Sequence, residues 1–109
     1  VTQLVSLRTL AHSRTLGSRT IATPIRAQVE AHLSAGDEVV LDFTGISITQ
    51  GFADELVGGI VLAQGLQVLE KLVFKGCSRA VQQIISFVIA DRAEQHQSRG
   101  RSTATGQPV

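Results

Sequence analysis

The sequence predicts an α/β fold, a small and mostly parallel sheet of three to four strands carrying three helices. Three observations predict it. Short apolar runs rich in β-branched residues read as strands, Val39-Val40-Leu41 above all. Segments with apolar residues at helical spacing alternate with these runs. The connections are short, so successive strands must be joined by helical crossovers, and crossovers bring strands parallel.

Taken in order, Leu4-Val5-Ser6-Leu7 opens a strand that Thr9 and Leu10 could continue. Residues 11–17 are polar and end in Gly17, which suits either a turn or a hairpin returning through Thr15-Leu16. Ser18 is an N-cap candidate for a helix over 18–34, with Ala35-Gly36 as its stop. Ile21, Ala22, Ile25, Val29 and Leu33 form its apolar stripe, and Arg19, Arg26 and Glu30 lie on the other side. Pro24 leaves two options: a helix that starts there with Thr23 as cap, or a bent one that starts at Ser18.

Residues 39–43 are the next strand, expected to be covered on both faces. Gly45 lets the chain leave it, and Thr49, Gln50 and Gly51 supply cap positions for a helix over 52–63 that stops near Gly65. On a wheel of 100° per residue, Phe52, Ala53, Leu56, Val57, Ile60 and Ala63 share an apolar side. Asp54, Glu55, Gly58 and Leu62 fill the opposite one. Two glycines inside a helix each cost about 1 kcal/mol relative to Ala, so Gly58-Gly59 predicts a close approach by some neighbour.

Residues 69–74 form a further strand, and Lys75-Gly76-Cys77 turns out of it. Ser78 caps a last helix in which Val81, Ile84, Ile85, Val88 and Ile89 make the clearest amphipathic stripe, with Phe87 at its edge. The predicted core comprises Leu41, Phe43, Leu56, Ile60, Leu72, Phe74, Val81, Ile85 and Val88. Residues 1–96 are expected to form one domain, and residues 97–109 a disordered polar tail.

Composition narrows the function classes. With 109 residues there is one core, and 43% apolar residues is ordinary for a globular chain. No apolar run approaches a membrane span, the first residues lack a secretory pattern, and a single cysteine suits a reducing compartment. A cytoplasmic protein without membrane contact is the expectation. A net charge of +1 and the absence of Trp and Tyr argue against nucleic acid as partner. Charge is nonetheless polarised. Residues 1–36 carry four Arg against one Glu, residues 37–76 six acids against two Lys, and the remainder four Arg against two acids. These charges either neutralise one another in the fold or steer a partner.

A search for reaction chemistry returns little. Cys77 is the only thiol, and His12, His32 and His96 have no metal-ligand spacing to it or to each other. There is no phosphate loop and no dinucleotide fingerprint. Asp54 and Glu55 are adjacent, so on a helix they diverge instead of converging on a substrate, and the helix dipole alone favours acids there. No catalytic residue, metal or cofactor is expected, and the chain reads as a non-enzyme.

Leu41-Asp42-Phe43-Thr44-Gly45-Ile46, followed by Gln50-Gly51-Phe52-Ala53-Asp54-Glu55-Leu56, resembles the signature of the STAS-like domains of unknown function. The likeness extends from Gly17-Ser18-Arg19 through Cys77-Ser78 and the last helix, and the Phe-Ala-Asp-Glu-Leu run is its specific part. Those domains are in turn distantly similar to the STAS anti-sigma-factor antagonists of bacteria. The resemblance implies a small sheet with helices packed on it, whose strand–loop–helix joint docks on an ATP-binding, kinase-like partner protein. In the antagonists a serine at the start of this helix is phosphorylated as a switch. Its position falls on Phe52 here, with Thr44, Ser47 and Thr49 as nearby hydroxyls that could be phosphorylated instead.

The function expected is therefore a regulatory, signalling module of prokaryotic type that binds a protein partner through residues 49–62. Asp54, Glu55, Gly58 and Leu62, with Thr49 and Gln50 at the cap, form the expected surface. A small-ligand or anion sensor, or an accessory enzyme subunit, is the alternative. A mobile-element inhibitor using the same face is a further one, and homodimerisation is left open.

Overall fold

A computed structural model describes the backbone of residues 1–11 and 15–105, and the side chains of residues 1–10 and 15–95. Three parallel strands form the main sheet in the order β1 (Thr2–Ser6), β3 (Glu38–Asp42), β5 (Leu72–Lys75). The α/β class and the parallel sheet are as the sequence predicts, and residues 39–43 supply the central strand. Helix α2 (Arg19–Ser34) crosses from β1 to β3. A helical run over residues 50–64 crosses from β3 to β5. Both crossovers step in the same direction across the sheet, so right-handed connections put both helices on one face.

That one-sidedness corrects the expectation of a strand covered on both faces. Val5, Val39, Leu41 and Leu72 point into the helices and are buried. On the opposite face Leu4, Val40 and Val73 stand in register across the three strands. Leu4 is 61% exposed and Val73 42%, with Val40 half-buried between them. The run Val39-Val40-Leu41 thus alternates in and out, although all three residues are apolar.

The chain leaves β1 differently from the expectation. Thr9 and Leu10 do not extend the strand. Leu7–Ala11 form a one-turn helix, α1, that buries Leu7. Thr15–Leu16 (β2) pair in parallel with Ser47–Ile48 (β4), and not as a hairpin with β1. Of residues 11–17, expected as a turn or a hairpin, residues 12–14 lie outside the described residues. The helix α2 takes the earlier of its two starts, with Ser18 Oγ accepting from the Thr20 amide at 3.0 Å and Pro24 inside the helix.

Gly65, at φ 89°, ends the second crossover. Residues 66–71, part of which was expected as strand, instead wind into a 3₁₀ turn (Leu66–Lys71), and β5 begins only at Leu72. Ser78 caps α5 (Arg79–Thr105) by accepting from the Val81 amide at 3.2 Å. The expected tail at residues 97–109 falls where side chains, or the chain itself, lie outside the description. Of the predicted core, Leu41, Phe43, Leu56, Ile60, Leu72, Val81, Ile85 and Val88 are buried. Phe74 is partly buried, its ring 6.3 Å from that of Phe43. Ile21 and Ala63, expected on apolar stripes, are exposed.

Candidate functional site

The joint between β4 and the second crossover is built on Thr49. Its extended backbone stops the strand, and its Oγ1 accepts from the Phe52 amide at 3.2 Å. The same hydroxyl donates to the Gly17 carbonyl at 3.1 Å, while the Thr49 amide donates to the Leu16 carbonyl at 3.0 Å. Pairing β2 with β4 thus sets the starts of α2 and of the second crossover side by side. Gly17 allows the approach, since a β-carbon there would lie 3.3 Å from Thr49 Cγ2. The resulting platform exposes Gly17, Arg19, Thr49 and Gln50, with Gly51 half-buried.

Beyond the cap, the crossover is not a uniform α-helix. Gln50–Ala53 (α3) and Gly59–Gln64 (α4) are α-helical, and Asp54–Gly58 between them is a π turn. A π turn holds more residues than an α turn, and such turns occur frequently at functional sites. This one carries both carboxylates. Arg92 of α5 donates from Nη2 to Asp54 Oδ1 at 2.7 Å, and Arg19 donates to Asp54 Oδ2 at 3.0 Å. Arg26 donates to Glu55 Oε2 at 2.9 Å and to Glu30 Oε2 at 3.2 Å. Arg19 Nη1 also stands 3.9 Å from Glu55 Oε1. The acidic pair is therefore a hub, tied to α2 on one side and to α5 on the other.

The two glycines complete that hub. A β-carbon at Gly58 would stand 2.7 Å from Arg92 Nε and 3.2 Å from Val88 Cγ1. One at Gly59 would stand 2.5 Å from Arg26 Nη1. Each guanidinium lies over one glycine and binds the carboxylate four residues earlier: Arg92 over Gly58 to Asp54, Arg26 over Gly59 to Glu55. The expectation that Gly58 opens the outer surface to a partner is corrected on this point, because Gly58 is buried and α5 fills the space. Arg92 is only 14% exposed, and its buried Nε has no hydrogen-bond partner among the described residues.

The six predicted surface residues therefore do not share one face. Thr49 and Gln50 sit on the platform, Asp54 and Glu55 in the ion cluster, Gly58 beneath α5, and Leu62, 44% exposed, near the far end of the helix. The sequence reading placed Arg19 and Arg26 on a polar face without partners and missed Arg92. The tandem spacing Asp54/Gly58 and Glu55/Gly59 was the available signal. A glycine one turn after a carboxylate leaves a seat for a guanidinium that arrives from another helix.

Of the hydroxyls, Thr44 donates to Asp42 Oδ1 at 2.6 Å, and its amide donates to the same oxygen at 2.9 Å. These bonds hold the Asp42 carboxyl below its ordinary range. Thr49 is committed to the cap, Ser47 is exposed on β4, and Phe52 is wholly buried. Burial, and then the Asp42 charge, push the Cys77 thiol up, which lowers its reactivity. Among the described residues no three His, Cys, Asp or Glu side chains converge as metal ligands. Among them, no helix is long and apolar enough to cross a membrane.

The family model of the STAS-like domain of unknown function (DUF4325) matches residues 22–82, which span the second half of the platform, the π turn and both glycines. No curated protein and no solved structure matches the chain.

Proposed function

Because the chain belongs to the family of STAS-like domains of unknown function, we propose that it is a non-catalytic, cytoplasmic regulatory module. In this reading it docks a protein partner on the platform made by Gly17, Arg19, Thr49, Gln50 and Gly51. One observation carries the choice of surface. The platform is exposed yet held from behind by the Thr49 bonds and the ion cluster, so a partner meets preorganised backbone at low ordering cost. Gly17 and Gly51 keep that backbone accessible.

The partner proposed is an ATP-binding, kinase-like protein of the anti-sigma type, the class that the STAS resemblance implies. Asp54 and Glu55 support this reading by orienting Arg19 instead of meeting the partner themselves. Ser47 is the hydroxyl best suited to a phosphoryl switch, since Thr44 and Thr49 are already bonded. An anion sensor is less well supported. The Ser18 and Thr49 oxygens already accept the Thr20 and Phe52 amides, and Arg19 is ion-paired.

Calorimetry with a purified ATP-binding, kinase-like protein of the anti-sigma type tests the reading. Gly51→Arg is expected to weaken binding at least tenfold with circular dichroism unchanged, and Val73→Lys on the open sheet face to leave it as it was. Undiminished binding by Gly51→Arg and by Gln50→Arg would overturn the proposed surface.

A further inference from the structure

The two edges of the main sheet are unlike. The edge strand β5 is guarded by lysines, Lys71 just before it and Lys75 at its end, and charged residues discourage edge-to-edge pairing. Strand β1, five residues long, has no such device. Thr2, Gln3, Leu4, Val5 and Ser6 include no charge, no proline and no glycine, and among the described residues β1 pairs only with β3. An uncharged, unpaired edge is a template for another strand.

The ladder says which groups await that strand. The Glu38 amide donates to the Val1 carbonyl at 2.9 Å, and Thr2 is the register partner of Glu38. In a parallel pair the bonding direction alternates along the strand, so Val1, Gln3 and Val5 face β3. Thr2, Leu4 and Ser6 therefore turn their amides away from it, and Thr2 and Leu4 also their carbonyls. Leu4 lies midway between Thr2 and Ser6, and its side chain is the most exposed apolar group of the sheet.

We propose that β1 pairs antiparallel with β1 of a second copy of this chain about a two-fold axis at Leu4. The two three-stranded sheets then join into one of six. In this register Leu4 exchanges amide and carbonyl bonds with Leu4 of the second copy, and the Ser6 amides donate to the Thr2 carbonyls. Gln3 faces Val5, and Thr2 faces Ser6. No like charges meet, whereas the same operation on β5 about Val73 would set Lys71 against Lys75. The apolar row Val73–Val40–Leu4 continues into its own image, so Leu4 is covered by Leu4. Strand pairing alone is a small interface, so the dimer is weak and depends on concentration. The surface is separate from the platform, and the inference stands independently of the function proposed above.

Sedimentation equilibrium of the full chain tests it. The wild type is expected to move from 11.6 kDa towards twice that mass as concentration rises to about 1 mM. Leu4→Lys is expected to stay monomeric with an unchanged circular dichroism spectrum. Should Leu4→Lys fold poorly, Leu4→Cys in a Cys77→Ser background decides the matter. A cysteine on the axis is expected to form an intermolecular disulfide under oxidised glutathione, whereas Val73→Cys in the same background does not. A wild type that stays monomeric throughout, a dimer that survives Leu4→Lys, or a Leu4→Cys variant that fails to cross-link would each overturn the proposal.

Discussion

The guanidinium of Arg92 occupies the space that a side chain at Gly58 would need, with its Nε 2.7 Å from where a β-carbon would stand. Gly58→Ala therefore pits a gain in helix propensity of about 1 kcal/mol against overpacking of about 1–3 kcal/mol. Arg92 is pinned to Asp54 and hemmed in by Val88, so overpacking wins. Urea unfolding is expected to show a net loss of up to about 2 kcal/mol. At Gly59 the obstructing atom is the far end of Arg26, which is more exposed and can swing away. Gly59→Ala is expected to be near neutral.

The Asp54–Arg92 pair is the least exposed ion pair of the cluster, and breaking it from either side strands a charge. A double-mutant cycle of Asp54→Asn with Arg92→Met is expected to give a coupling of about 1–2 kcal/mol. Salt should change it little. Arg19, whose side chain is 58% exposed, should couple to Asp54 by less than about 0.5 kcal/mol, a value that falls with added salt. Equal couplings for the two pairs would contradict this assignment.

Thr49→Val removes both the helix cap and the bond to Gly17, and leaves the side-chain volume nearly unchanged. A loss of about 1–2 kcal/mol in unfolding free energy is expected, with Thr49→Ser retaining most of it. Faster amide exchange at Phe52 in the valine variant, and not in the serine one, would locate the damage at the cap.

Asp42 makes stability depend on pH. The Thr44 hydroxyl, then the Thr44 amide, lower its pKa against a smaller push from burial, and Lys75 contributes least. A depressed carboxyl stabilises the fold above its unfolded pKa, and that contribution is lost as pH falls through the folded value. Thr44→Val should therefore raise the Asp42 titration midpoint measured by NMR. The variant should be less stable than wild type at pH 7, and the gap should close in acid near about pH 2. A gap that persists there would trace the loss to packing at Thr44.

Relieving Asp42 of its charge should also reach Cys77, whose thiol is held up by burial first and by Asp42 second. Asp42→Asn is expected to lower the thiol pKa and modestly speed alkylation by iodoacetamide at pH 8. An unchanged rate would leave burial as the sole cause.

By itself the sequence determined the alternation of strands and helices, the parallel sheet and eight of the nine core residues it named. Each of those follows from local pattern: a β-branched apolar run in β3, a period of 3.6 in α5, and connections too short for anything but crossovers. Ser18, Thr49 and Ser78 were legible as caps for the same reason, since a cap acts on amides two or three residues away. The tertiary structure alone decided which polar faces met water. Arg92 is 38 residues from Asp54, and although the Asp54/Gly58 spacing marks a seat for a guanidinium, nothing local says which arginine fills it. The π turn and the cover of α5 moved Gly58 from the predicted outer face to the interior. In the sheet, the common hand of two crossovers left Leu4, Val40 and Val73 on an open face, where an all-apolar run had suggested cover on both sides. Periodicity reports what a segment can bury, whereas the long-range placement of its neighbours sets which side is buried and against what.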